Sequence, residues 1–163
     1  MIRQFRHADA QSCSRIVHAC LHQDTSLSPE LRDKILSLES PKAMNERSRL
    51  FYLAVKESEA QILGIAGLDM NEIRILCVAP EHQRRGIGRA LLEHIAAMVP
   101  GHLFADIIVY SAMPALDFYK AHGFIEKGEV TFEVEGEPLR TVFMARPIRQ
   151  AGGPALRASS QAL

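Results

Sequence analysis

The sequence predicts one mixed α/β domain, and three observations carry that expectation. Apolar residues recur every three to four positions up to residue 38, then from Leu50 fall into short β-branched and aromatic runs. Three of those runs, Phe51 to Val55, Ile62 to Leu68 and Glu72 to Val78, are joined by connections too short for a helix, which makes them an antiparallel meander. The third run then passes through a basic, glycine-containing segment straight into an amphipathic stretch, a strand–loop–helix unit.

Composition sets the bounds. A chain of 163 residues is the size of one domain with one sizeable core. With 19 basic and 19 acidic residues, charge points neither to nucleic acid nor to an acidic membrane surface. No apolar run approaches the ~18–20 residues that span a bilayer, and Met1 to His7 lacks the apolar core of a signal peptide. Three cysteines without CxxC spacing, and seven scattered histidines without HxH spacing, argue against a disulfide framework and a metal site. A reducing cytoplasm is the expected compartment.

In chain order, Ile2 to Phe5 reads as a first strand. Asp9 stands at an N-cap position ahead of Cys13, Ile16, Val17, Cys20 and Leu21, one face of a helix. Ser28-Pro29-Glu30 reads as a second helix start, with Leu31, Ile35 and Leu38 as its buried face. Ser40 to Arg49 reads as a short helix or ordered loop. After the glycine segment, Ile87, Ala90, Leu91, Ile95 and Met98 mark a helix face, which Pro100-Gly101 stops. His102 to Tyr110 reads as a buried strand, and Met113-Pro114 starts a last helix that Gly123 ends. Val130 to Val134 and Leu139 to Met144 read as a hairpin about Gly136. The expected domain is residues 1–148, with 149–163 a disordered tail of little apolar content.

The glycine segment, Gln83-Arg84-Arg85-Gly86-Ile87-Gly88, is built for a phosphate. A helix start leaves its first N–H groups unpaired, the helix dipole places partial positive charge there, and glycine admits close approach. A Walker loop is excluded because its Lys and hydroxyl residue are missing. A Rossmann fingerprint is excluded because Leu91 stands where the third glycine belongs. The remaining pattern, Q/R-x-x-G-x-G/A, lies between a strand ending Leu76-x-Val78-x-Pro80 and a helix opening Ala90-Leu91-Leu92. A second pattern, A-x-x-F-Y-x-x-x-G-F, is met by Ala115 to Phe124. On these residues and this element order, residues 1–148 resemble the GNAT superfamily of acetyl-CoA-dependent N-acetyltransferases.

The resemblance implies an α/β (α+β) GNAT-like domain. Its mixed, mostly antiparallel sheet would have six to seven strands, flanked by about four helices. It implies acetyl-CoA as co-substrate and no metal. The pyrophosphate would lie on backbone N–H groups between Arg84 and Ala90, that is Arg84, Arg85, Gly86, Ile87, Gly88, Arg89 and Ala90, with Gln83 supporting. Leu76 and Val78 would offer backbone groups to the pantetheine arm, with Leu76 N–H as oxyanion donor and Phe118 beside the cofactor. Tyr119 would be the general acid for the departing thiolate. Glu72 would be the base, with Asp69, Glu57 or a water chain as alternatives. One departure from the pattern is Ala112, where members often carry Asn. Cys77, by alternation, faces away from Leu76 and Val78. The implied reaction is direct transfer from acetyl-CoA to a primary amine. A non-catalytic acyl-CoA sensor, or an acyltransferase using a larger acyl group, are the alternatives. A small-molecule or peptide amine is the expected partner, without nucleic acid or membrane, and a homodimer is compatible with the resemblance.

Overall fold

The computed structural model describes residues 1–148; the tail expected at 149–163 lies outside them. Along the chain run β1 (Ile2–Gln4), α1 (Ala10–Gln23), α2 (Pro29–Leu38), α3 (Pro41–Arg47), β2 (Tyr52–Ser58), β3 (Gln61–Asp69) and β4 (Glu72–Val78). Then follow α4 (Ile87–Ala96), β5 (Asp106–Ser111), α5 (Leu116–Ala121), β6 (Ile125–Val134) and β7 (Glu137–Pro147). The seven strands form one sheet in the order β1-β2-β3-β4-β5-β7-β6. Only β4 and β5 pair in parallel.

Local chemistry sets the helix starts. Ser28 Oγ accepts the Leu31 N–H at 3.1 Å and Ser40 Oγ the Ala43 N–H at 3.1 Å, each serine followed by proline at the first helical position. The segment after Ser40 is thereby a helix, and Met44 buries its inner face. Asp9 departs from its expected role. Its side chain makes no cap bond to α1 and instead accepts the Arg6 N–H at 2.7 Å, within a 3₁₀ turn ahead of the helix.

Each face of the sheet has its own core. On one, α1 and α3 supply Ala10, Cys13, Val17 and Met44 against Leu53, Val55 and Ile65. On the other, Ile87, Leu91, Leu92 and Ile95 of α4 and Tyr119 of α5 pack on Ile73, Ile107, Val109, Val142 and Met144. Several boundaries differ from expectation. The strand expected from His102 starts only at Asp106, because Leu103 and Phe104 bond back to Pro100 O in a turn, leaving Leu103 67% exposed. Met98 lies past the end of α4 and is exposed, and Leu38 is exposed at the end of α2. The final hairpin is longer than its apolar residues suggest. Its outer strand, β6, is the sheet's edge and is largely exposed, so burial leaves no apolar pattern there in the sequence.

A charged clamp fastens the opposite edge. Arg3 donates from Nε to Glu57 at 2.6 Å and from Nη1 and Nη2 to Asp9 at 2.8 and 2.9 Å. These hydrogen bonds, with that from Arg6, hold the buried Asp9 carboxyl below the usual carboxylate range. A depressed folded pKa gives stability that is present above the unfolded value and lost as pH falls through the folded one. Arg3→Met should therefore cost on the order of 3 kcal/mol at pH 7, with a smaller deficit at pH 3. Urea melts at the two pH values measure this, and equal deficits would refute it.

Candidate active site

The site begins where two strands part. β4 and β5 pair only at Glu72↔Ile108 and Ile73↔Val109, after which β4 continues to Val78 without a partner on that side. On its other side β4 stays paired with β3, and the register fixes which backbone groups point into the gap. Ala79 N–H bonds Leu63 O at 2.9 Å, and bonded pairs alternate along an antiparallel ladder. Cys77 therefore exchanges its bonds with Ile65, while the N–H and C=O of Leu76 and Val78 face the gap.

A bulge at Arg74, opposite the Gly67/Leu68 step, shifts the alternation. Ile73 before it and Leu76 and Val78 after it all belong to the α4 face, whereas Ile75 and Cys77 face α1. The Val78 carbonyl, expected to be open, is occupied: Gln83 Nε2 donates to it at 3.0 Å and Cys20 Sγ at 3.3 Å. Gln83 Nε2 also reaches Gln23 Oε1 at 3.2 Å, so Gln83 ties the strand end to α1. The backbone groups open toward the gap are thus Leu76 N–H and C=O and Val78 N–H.

The α4 start closes one end of the gap. Gly86 caps the helix at φ 80°, ψ 3°, and no side chain caps the free N–H groups of Ile87, Gly88 and Arg89. Ala90 is not among the free donors, because its N–H bonds Gly86 O at 3.0 Å. Arg84 also holds a left-handed backbone, φ 63°, which is uncommon without glycine and turns the loop into a concave row of N–H groups. Arg84, Arg85 and Arg89 are exposed around it. A Cβ at Gly86 would meet nothing within 4 Å, so the approach is open, and one at Gly88 would lie 3.2 Å from the Phe118 ring. Phe118 and Val78 thus flank the helix start: Val78 Cγ2 lies 3.7 Å from the same point.

Phe118 and Tyr119 are held by the end of α5. Phe124 N–H bonds Tyr119 O at 3.0 Å and Gly123 N–H bonds Lys120 O at 3.2 Å, with Gly123 at φ 87°. This Schellman closure folds Phe124 back over the helix, 5.2 Å from the Tyr119 ring, with Phe118 5.3 Å away on another side. Tyr119 is 5% exposed, and its hydroxyl bonds no described residue. Burial, and to a lesser degree neighbouring Cys77, pushes its pKa well above 10.

The candidate acids separate by position. Glu72 lies at the closed end of the gap, roughly 13 Å along the strand from Leu76, half-buried and 3.5 Å from the exposed Arg74. It shares a face with Ile108, opposite Ile73 and the α4 core. Glu57 is engaged by Arg3 near β1, two strands from the gap, which removes it as a base. Asp69 pairs with Glu72 across the β3–β4 turn. Cys77 is held well above an ordinary thiol pKa, first by its hydrogen bond with Cys20 and then by burial, so it is a poor nucleophile. The Arg74 bulge, the left-handed Arg84 and the Gln83–Val78 tie are site features the sequence did not disclose.

A splayed strand pair, a glycine-capped helix start at one end and an aromatic pair beneath match one known domain. The model of the acetyltransferase (GNAT) domain matches residues 21–145. The chain belongs to the GNAT acetyltransferase family. A peptidyl-lysine N-acetyltransferase of Escherichia coli K12, YiaC, is 34% identical over 71 residues, covering 43% of this chain and 47% of that protein. The match thus spans about half the length of that relative. Among solved structures, a GCN5-related N-acetyltransferase of Rhodopseudomonas palustris superposes with a TM-score of 0.83 at 20% identity, covering 90% of this chain and 94% of the other. The PaiA N-acetyltransferase of Thermoplasma acidophilum, solved with coenzyme A, gives 0.72 at 15% identity over 90% and 98%. At these identities the likeness is one of fold. No helix among the described residues is long and apolar enough to cross a membrane.

Proposed function

We propose that this chain transfers an acetyl group from acetyl-CoA to a primary amine by direct attack in a ternary complex. The observation that carries the reading is the β4–β5 gap, with Leu76 N–H facing into it and the free N–H groups of Ile87, Gly88 and Arg89 at its end. The residues fit the co-substrate: the open approach at Gly86 and the free N–H groups of the helix start would hold a pyrophosphate, with Gly88 packed close to Phe118. When bound, acetyl-CoA supplies an electrophilic thioester carbonyl and a thiolate leaving group.

The protein's own groups divide the remaining work. Arg84, Arg85 and Arg89 add charge around the phosphates, and Val78 N–H and Phe118 line the arm. Leu76 N–H polarises the carbonyl oxygen, a donor whose loss typically costs on the order of 3 kcal/mol. Tyr119, protonated throughout the neutral range, holds a proton for the sulfur. Glu72, on the opposite face and roughly 13 Å along the strand from Leu76, accepts one from the incoming ammonium through water. Acid and base on opposite faces suit a cofactor entering beside α4 and an acceptor entering beside α2. A peptide lysine is the first acceptor to test, since the relative YiaC is named for that substrate.

The test combines calorimetry with a mass-spectrometric transfer screen over lysine peptides, free N-termini, polyamines and amino acids. Transfer to at least one amine supports the reading. Tight acetyl-CoA binding without transfer across the panel would make the chain a sensor, and a higher kcat/KM with propionyl- or succinyl-CoA would make it a larger-acyl transferase.

A further inference from the structure

Three aromatic rings stand outside both cores, on the sheet face opposite α4. Tyr110 of β5 lies 5.1 Å from Phe143 of β7, its partner across the ladder, and 5.1 Å edge-on from Phe132 of β6. Their alternation partners Val109, Val142 and Met144 belong to the α4 core, which fixes the trio on the other face. Phe132 is 42% exposed, and Tyr110 and Phe143 are half-buried. A fold seldom leaves three neighbouring rings open without a use.

Their place gives the use. Tyr110 is the first β5 residue past the last pair with β4, Ile73↔Val109, so the strip begins at the mouth of the gap. From there it runs across β7 to β6. Beyond its far end α2 reaches the β6–β7 turn, where Lys34 Nζ donates to Glu135 O at 2.7 Å and lies 3.4 Å from Glu137. Lys34 already answers Glu137. Glu72 sits on the same face, beside Ile108 and two residues back from Tyr110, with the exposed, weakly held Arg74 3.5 Å away and Asp69 as its partner across the β3–β4 turn. The strip is therefore an apolar path leading to a carboxylate at the gap.

Resting on the proposed transfer reaction, we infer that Tyr110, Phe143 and Phe132 hold the methylene chain of a lysine-type acceptor and so select a side-chain amine over a peptide α-amine. Unbranched methylenes gain by covering aromatic rings, and the ammonium gains from ring faces on its way to Glu72. An α-amine would bring its peptide group onto the strip. Apart from the Tyr110 hydroxyl, the three side chains offer no hydrogen-bonding group to replace the water lost there.

The experiment compares two peptides with acetyl-CoA: one Nα-capped with a single lysine, the other uncapped and lysine-free. The capped peptide should have at least a tenfold higher kcat/KM. Phe132→Ala should raise its KM about tenfold with little change in kcat, in acetyl-CoA Kd by calorimetry, or in melting temperature, and Phe132→Tyr should restore KM. Shortening the lysine to diaminobutyrate should weaken the wild type more than Phe132→Ala. Preference for the α-amine, or an unchanged KM in Phe132→Ala, overturns this inference while leaving the transferase reading intact. Acetyl-CoA binding with no transfer to any amine overturns both.

Discussion

Tyr119→Phe should lower kcat about a hundredfold while leaving acetyl-CoA affinity and melting temperature nearly unchanged. The substitution removes one oxygen and keeps the ring that packs between Phe118 and Phe124. That oxygen bonds no described residue, so deleting it breaks no hydrogen bond within them and leaves no partner stranded. A packing role would therefore show as no change at all, and a catalytic role as a loss in kcat alone. The pH dependence sharpens the test. The acid must be protonated to act, and burial raises its pKa above the ordinary tyrosine value. The wild-type rate should thus rise with pH as the acceptor amine deprotonates, with no falling limb from Tyr119 below about pH 10. A raised folded pKa also means stability is lost above the unfolded value. The phenylalanine variant should accordingly lose less stability between pH 9 and 11 than the wild type. A variant with full kcat would remove Tyr119 from the chemistry.

What could be read from the sequence was local. The Ser28-Pro29 helix start, the Gly123 closure and the glycine loop each depend on a few adjacent residues, and the structure builds them as expected, while at Ser40-Pro41 it decides for a helix where the sequence leaves a short helix or an ordered loop open. What could not be read depends on register between distant strands. The Arg74 bulge exists because β3 and β4 lose step at Gly67/Leu68, and no residue in β4 announces it. The tie from Gln83 to Val78 and the neighbouring Cys20 thiol bring residues 20, 78 and 83 together only after α1 has packed on β4. The same holds for the aromatic strip, whose members at 110, 132 and 143 become neighbours through two ladder pairings. Glu57 shows the converse: an acidic residue near a strand end looks eligible in sequence, and the fold pairs it with Arg3 two strands from the gap.

Gly64→Ala should damage both stability and cofactor binding, and Gly67→Ala stability alone. Both glycines lie in β3, yet their added Cβ atoms meet different obstacles. At Gly67 the new carbon would fall 2.6 Å from Ile75 Cγ2, 2.8 Å from Leu53 Cδ2 and 3.0 Å from Phe51 Cε2, all ends of side chains that can turn aside. At Gly64 it would fall 2.9 Å from Leu91 Cδ1 and 2.9 Å from the Cys77 carbonyl oxygen, which is backbone and has no rotamer to escape into. Gly64 stands opposite Val78, so relief requires the end of β4 to move against β3, carrying the Leu76 and Val78 groups that face the gap. Overpacking of this kind costs about 1–3 kcal/mol at either site, visible as lower urea midpoints in both variants. The difference lies in the cofactor. Acetyl-CoA Kd by calorimetry should rise about tenfold in Gly64→Ala, since small displacements of positioning groups are expensive, and stay near the wild-type value in Gly67→Ala. Equal affinities in the two variants would mean that the strand end does not hold the pantetheine arm, and that the glycine-capped start of α4 binds the cofactor by itself.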